Sequence, residues 1–328
     1  MQTDQRSCSR RDFVRGTGVL LSGMVAGSAL GRQEPAAMPR VELGRTGAPV
    51  SRLGIGCGQL WRPQVSDDMV AAIIHRAVEL GVNFLDVAPN YGNDNDGYAE
   101  TRMGPIIREL RPQLFLVSKT DQADYDGTWQ QLQQSLTRLQ TDHLDLVHLH
   151  NVGHEPRFPD LEFTLGERGA LGALLEAQQQ GLIRFIGASG HLYPTRFHRV
   201  LDTGKIDVLM NAVNFIVRHT YDFEHKVWSR FADQGGGLVA MKVLGGRDAD
   251  GFRIPVEYYE RAIRYALSLR GVHVATIGVK NVEEVEQAAR TVCQATPLDE
   301  DEAQELALAG LQLSRTGRWP NAYGGPAT

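Results

Sequence analysis

The sequence predicts an α/β protein folded as a (β/α)8 TIM barrel, with an N-terminal β-hairpin and an extra C-terminal helix. Three observations carry that expectation. Strand-like and helix-like segments alternate, and eight strands recur about every thirty residues between Leu53 and Val279. Most of these strands are continuously apolar, as parallel strands covered on both faces are. Eight such units also fill the ~250 residues typical of a closed barrel. A doubly wound open sheet is the competitor, but the first strand-to-helix turn, Gly56-Cys57-Gly58-Gln59, lacks a dinucleotide-binding glycine fingerprint.

The elements follow in order. Arg40 to Leu43 and Pro49 to Leu53 flank Gly44-Arg45-Thr46-Gly47, a glycine-rich turn that predicts the hairpin. The barrel strands are expected at Leu53–Gly56, Asn83–Val87, Leu114–Ser118, Leu144–His150, Arg184–Ala188, Val208–Val213, Leu238–Val243 and Val274–Val279. Apolar positions at helical spacing place helices near Asp67–Leu80, Ala99–Leu110, Thr128–Leu139, Ala170–Gln180, Pro194–Leu201, Tyr221–Asp233, Pro255–Leu269 and Val282–Cys293. A last helix, Asp299–Leu313, opens on the acidic run Asp299 to Glu302, which suits the positive end of its dipole. The tail from about residue 314 is rich in Gly and Pro and reads as mobile. No linker interrupts residues 39–328, so one domain is expected there.

Residues 1–38 are a different kind of sequence. Ser9-Arg10-Arg11-Asp12-Phe13-Val14-Arg15 is a twin-arginine pattern, followed by an uncharged, modestly apolar run from Gly16 to Leu30. That run is shorter than the roughly twenty residues a membrane span needs. Small residues at Ala26–Ala29 and Ala36-Ala37 offer cleavage sites. The expectation is a signal and linker read by the twin-arginine export machinery, delivering a folded protein to the periplasm or an equivalent space.

Composition narrows the class. The 328 residues are 42% hydrophobic and 22% charged, enough for a sizeable soluble core. A net charge of -5 with mixed signs argues against nucleic acid or an anionic membrane as partner. Cys8, Cys57 and Cys293 lack metal-type spacing, so neither zinc nor a disulfide framework is expected.

In a barrel of this kind, function sits at the carboxyl ends of the strands. The second strand closes on Asp86 and delivers Tyr91 on a loop; alone, that pair equally describes a helix cap beside a rim tyrosine. The third strand ends on Lys119, which needs a partner if buried, and Asp86 is the neighbour able to supply it. That ammonium is expected to lower the Tyr91 pKa towards neutrality. His150 and Asn151 close the fourth strand, and His150 is placed to donate to a substrate oxygen or to orient it. Strand alternation puts His148 inside the barrel. Ser189 and His191 close the fifth strand, Asn211 and Asn214 the sixth, Lys242 the seventh and Lys280 the eighth.

These residues in this strand order resemble the aldo-keto reductase superfamily, over roughly Val41 to Cys293. The resemblance rests on Asp86-Val87-Ala88-Pro89-Asn90-Tyr91-Gly92, on Lys119, on Asp145 to His150, and on the opening Leu43-Gly44-Arg45-Thr46-Gly47 and Leu53-Gly54-Ile55-Gly56. It implies that a carbonyl and an alcohol are interconverted with a nicotinamide cofactor, Tyr91 giving the proton, Lys119 and Asp86 tuning it and His150 fixing the carbonyl. It also implies cofactor contacts from Ser189, Asn211, Met241, Lys242, Gly278 and Lys280. Departures are visible: Gly190 stands where asparagine is usual, Asn211 where glutamine is, and Met241 where an aromatic residue stacks. Glu284 lies near the arginine of NADP-specific members, and Ala288 loses an adenine contact, so NADP is favoured over NAD only slightly. Trp61, Asn151 and His191 are candidate substrate-pocket residues, although Trp61, His191 and His219 also suit ordinary surface positions. Lys242 equally describes a cofactor contact or a strand-end lysine in solvent.

Two other functions stay open at this point. One is a metal-dependent hydrolase using the His148-Leu149-His150 pair, although the eighth strand offers no acid to activate a water. The other is an exported partner protein that binds nicotinamide, or nothing, without catalysis.

Overall fold

A tight turn starts the fold. Strands β1 (Arg40–Glu42) and β2 (Pro49–Ser51) pair antiparallel around Gly44–Thr46, with Val41 opposite Val50. The structure, a computed structural model, describes residues 37–92, 97–245 and 254–316. The described residues all belong to a single compact unit. The expected twin-arginine segment, and the tail beyond residue 316, lie outside the described residues.

Eight parallel strands form the expected closed barrel: β3 (Leu53–Gly56), β4 (Phe84–Asp86), β5 (Phe115–Thr120), β6 (Leu144–Leu149), β7 (Ile183–Gly190), β8 (Val208–Ala212), β9 (Gly237–Met241) and β10 (Val272–Gly278). Closure comes from β10, whose Ala275 to Gly278 pair with Leu53 to Gly56 of β3. The apolar runs are apolar because each strand has two buried faces. Inward residues Phe84, Phe115, Val117, Leu146, Val208, Met210, Val239 and Val274 fill the interior, and Phe84 stacks on Phe115 at 5.5 Å. Outward residues such as Leu85, Leu116, Val147 and Ile186 meet the helices.

The hairpin closes the amino-terminal end of the barrel. Leu43, Ala48 and Val50 join the interior cluster, and Ser51 N donates to Asn83 Oδ1 at 2.7 Å just before β4. Gly44, at φ 51°, lies so close to the start of β9 that a Cβ would sit 2.5 Å from Gly237 N. No other residue fits there without moving the backbone.

The helices are α1 (Asp67–Glu79), α2 (Tyr98–Leu110), α3 (Tyr125–Leu139), α4 (Leu161–Leu165), α5 (Ala170–Gln179), α6 (Pro194–Asp202), α7 (Ser229–Asp233), α8 (Tyr259–Ser268), α9 (Val282–Cys293) and α10 (Glu300–Ser314). Their starts follow capping chemistry. Ser66, Asp124 and Asn281 each accept a backbone N–H from the first turn, and Asp299 forms a full capping box with Glu302. The acidic run thus begins α10 as its charge pattern predicts.

Two stretches differ from expectation. Between β6 and α5, where no helix is expected, the chain forms α4, started by Asp160 accepting from Phe163 N at 2.9 Å. The helix expected over residues 221–233 opens as a π-helical turn, Glu224–Trp228, before α7. At the end of that turn the Trp228 indole N–H donates to Asn211 Oδ1 at 2.8 Å, holding the ring against the barrel wall.

Candidate active site

At the carboxyl end of the barrel, the end of β4, the last turn of β5 and the end of β6 meet around one buried cation. Lys119 Nζ lies 2.5 Å from Asp86 Oδ1 and donates to Val87 O at 2.9 Å. It also stands 5.0 Å from the centroid of the Tyr91 ring. The loop that carries Tyr91 is fixed at both sides of the residue, since Tyr91 N donates to Ala88 O and Ala99 N donates to Tyr91 O. Gly58, on the loop after β3, covers the ring, and a Cβ there would touch it at 3.5 Å. His150 follows β6 and lies edge to face with Tyr91, ring centroids 6.3 Å apart. The four residues singled out by strand order are therefore brought together.

Electrostatics give each of them a state. Burial alone would lower the Lys119 pKa, but attraction to Asp86, then to Tyr91, outweighs it and holds the ammonium above its usual range. The expected lowering of Tyr91 does not occur. Burial pushes its phenol up to about 12, and the Lys119 charge offsets only part of that rise. Tyr91 is thus a protonated phenol at neutral pH. His150 is pushed down to about 3, first by burial and then by repulsion from Lys119, with Asp86 opposing, so its ring is neutral.

His148 is wholly buried, one layer below His150, and burial drives its pKa well down. Gly187 on β7 makes room for it: a Cβ there would overlap His148 Nδ1 at 2.2 Å. Sealed in this way, His148 shares no open site with His150, and the geometry gives the hydrolase reading no support. Asp145 lies at the opposite end of β6 from His150. It accepts from Leu116 N at 2.8 Å and pairs with Arg111 and Arg184 at 2.9 and 2.6 Å, tying strand ends together.

The remaining candidates spread around the same rim. Ser189 is buried near the end of β7, where its Oγ accepts from Asn151 N at 3.4 Å. Asn151, at φ 64°, places its Oδ1 3.3 Å from His191 Nδ1. Asn211 is fully buried, its carbonyl taken by Trp228 and its amide donating to Gly190 O at 3.2 Å. Met241 ends β9 within the interior cluster, and Lys242, at φ 59°, turns the chain after it. The turn at Lys242 is held by Asn214 Nδ2, which donates to Lys242 O at 2.9 Å. Trp61 packs on the outer core beside Arg62, whose guanidinium stands 6.0 Å from the ring centroid. Gly278 is exposed at the end of β10 beside Gly56, next to the amino terminus of α9. There Glu284 folds back to accept Lys280 N at 2.7 Å, while Asn281 accepts Glu284 N at 2.9 Å.

Sequence reasoning missed Asp121. This residue follows Lys119 by two positions, and its Oδ1 lies 2.8 Å from His150 Nδ1. Arg157, from the loop after β6, contacts the same oxygen. The acid at a strand end was a visible signal; its partner 36 positions on was not.

The closed parallel barrel thus brings an acid, a phenol, an ammonium and an imidazole together at neighbouring strand ends. The chain belongs to the aldo/keto reductase family, whose sequence profile matches residues 52–252. It is 25% identical to L-galactose dehydrogenase of Arabidopsis thaliana, a match covering 87% of this chain and 98% of that one. Methylglyoxal reductase DkgA of Salmonella typhimurium is 26% identical over 85% of this chain and 96% of its own. Among solved structures, a putative aldo-keto reductase from Pseudomonas aeruginosa superposes with a TM-score of 0.67 at 26% identity. That match covers 80% of this chain and 98% of the other.

Proposed function

We propose that this protein interconverts a carbonyl compound and an alcohol with a nicotinamide cofactor, Tyr91 serving as proton donor when an aldehyde or ketone, sugars among them, is reduced. The observation that carries the reading is the Lys119 clamp, which holds a protonated Tyr91 beside neutral His150. The cofactor, when bound, supplies the hydride.

The protein's own residues do the rest. Tyr91, held near pKa 12 by burial, is a far stronger acid than a forming alkoxide, so its proton moves downhill to that oxygen. Lys119 steadies the phenolate left behind, and Asp86 keeps that ammonium in place. A single fixed donor at such an oxygen is commonly worth about 2.7–4 kcal/mol.

The fit of a dinucleotide is uneven along its length. At the adenosine end, Gly278 leaves the backbone open and α9 points its amino terminus there, which suits a diphosphate. The Glu284 carboxylate already holds the Lys280 amide in that turn, so a 2′-phosphate meets a negative charge. This supports NAD over NADP, against the slight NADP preference expected from the sequence resemblance. At the nicotinamide end, Ser189 is in place, but the Asn211 carbonyl is engaged by Trp228. That engagement favours the competing reading of a binding-only exported protein. The Arg10-Arg11 motif supports export by the twin-arginine route in the folded state, ending in the periplasm.

The test is direct. NADH and NADPH are titrated against the purified protein by fluorescence, and aldehydes, ketones and sugars are screened with the tighter binder. Tyr91→Phe should lower turnover at least ~10²-fold while leaving cofactor affinity unchanged. Turnover unaffected by that change would overturn the assignment of Tyr91; absence of any nicotinamide binding would overturn the function.

A further inference from the structure

His150 does not face the site alone. Behind it, Asp121 Oδ1 lies 2.8 Å from Nδ1, and the Asp121 side chain is only 3% exposed. The arrangement is built from three elements. Asp121 follows β5, and its backbone N–H is pinned by Gln131 Oε1 of α3 at 2.8 Å. His150 follows β6, and its own N–H donates to Thr120 O at 2.9 Å. Arg157, on the loop after β6, places its guanidinium on the same carboxylate oxygen. Among the described residues the second carboxylate oxygen, Oδ2, is buried with no hydrogen-bond partner, and the ring and Arg157 hold the other oxygen.

The chemistry of these groups decides where the ring proton sits. A carboxylate accepts hydrogen bonds and donates none, and the Arg157 cation keeps it so. The ring nitrogen facing it must therefore carry the hydrogen. A neutral imidazole has one N–H, so Nε2, on the far side of the ring, has a lone pair and no proton.

We propose that Asp121, held by Arg157, is a positioning residue that locks His150 in the Nδ1–H tautomer, so that Nε2 accepts a hydrogen bond from a hydroxyl-bearing ligand. Tyr91 donates and His150 accepts, a complementary pair for an alcohol oxygen, which does both. A carbonyl oxygen only accepts and is held by Tyr91 alone. The resting site therefore selects the alcohol of the substrate pair. The word substrate rests on the oxidoreductase reading above; the tautomer does not.

The test is nitrogen NMR of the full chain labelled with 15N-histidine, the His150 signals being assigned by their loss in His150→Asn. At neutral pH the wild type should show a protonated Nδ1 and a bare Nε2. Adding tert-butanol should move the Nε2 resonance, and the same concentration of acetone should not. In Asp121→Asn the amide can donate or accept, so the tautomer ratio should relax by roughly fivefold, the worth of one ordinary hydrogen bond. Asp121→Glu, which keeps a carboxylate, should restore the wild-type pattern. A protonated Nε2 in the wild type, or a ratio unchanged in Asp121→Asn, overturns the proposal. Equal responses to tert-butanol and acetone overturn the claim about the ligand. The wild-type spectrum decides the tautomer even if a variant does not fold. It also needs no cofactor, so its failure is distinct from failure to bind nicotinamide.

Discussion

Removing the cation from the Lys119 clamp tests stability and function at once. The Lys119 and Asp86 side chains are 1% and 5% exposed and 2.5 Å apart, so Lys119→Met strands a buried carboxylate. Breaking such a pair from one side costs about 3–5 kcal/mol. At roughly 2 °C per kcal/mol for a chain of this size, the midpoint should fall by roughly 6–10 °C. Asp86→Asn strands the ammonium and should cost a similar amount. The double variant, carrying no buried charge there, should lose less than the sum of the singles by roughly 2–3 kcal/mol. Urea denaturation of the four proteins measures the cycle, with turnover followed in parallel. Turnover should not recover in the double variant, because Tyr91 has lost its ammonium in both cases. Additive stability losses, or a double variant that regains activity, would refute the clamp.

Other outcomes follow from the same geometry. His150 has a folded pKa depressed to about 3 from an ordinary 6.5. Its stabilising effect is full above pH 6.5 and fades as pH falls towards 3; His150→Asn should flatten the stability slope between pH 6 and 4 by ~1.4 kcal/mol per pH unit, as read by urea titrations at several pH values. Gly187→Ala pushes a methyl into His148 and towards Val208 O, 2.8 Å away, and should cost about 1–3 kcal/mol by the same method. Glu284→Ala removes the charge at the α9 turn and should raise the NADPH-to-NADH affinity ratio by roughly threefold to tenfold in the fluorescence titration, more at low salt. An unchanged ratio would place the 2′-hydroxyl end elsewhere.

The barrel was legible because parallel strands buried on two faces must be apolar along their length. The runs ending at Asp86, Lys119 and His150 show this directly, and the polar residue that closes each run marked a residue of the candidate site. The candidate site was legible for the same reason: a lysine closing an apolar strand demands a partner. What stayed hidden depended on distance through space or on a balance of energies. No local pattern joins Asp121 to Arg157, or Asn211 to Trp228. The direction of the Tyr91 shift required knowing how much water the fold removes, since desolvation and the Lys119 charge pull oppositely. Asp160, by contrast, was a readable cap for α4, and the short helix could have been found from it.

The pairing of β10 with β3 also bears on how the molecule is made. The strand that seals the barrel, Val272–Gly278, leaves the ribosome more than two hundred residues after the one it must meet. Gly44 likewise waits for Gly237 before the hairpin finds its seat. Until then β3 presents an unpaired apolar edge, and its N–H and C=O groups can pair with another chain. Such long-range closure makes for slow folding and exposes the nascent chain to aggregation. Yield and refolding rate should therefore respond to changes along the β3–β10 seam more sharply than the equilibrium stability of the finished barrel does.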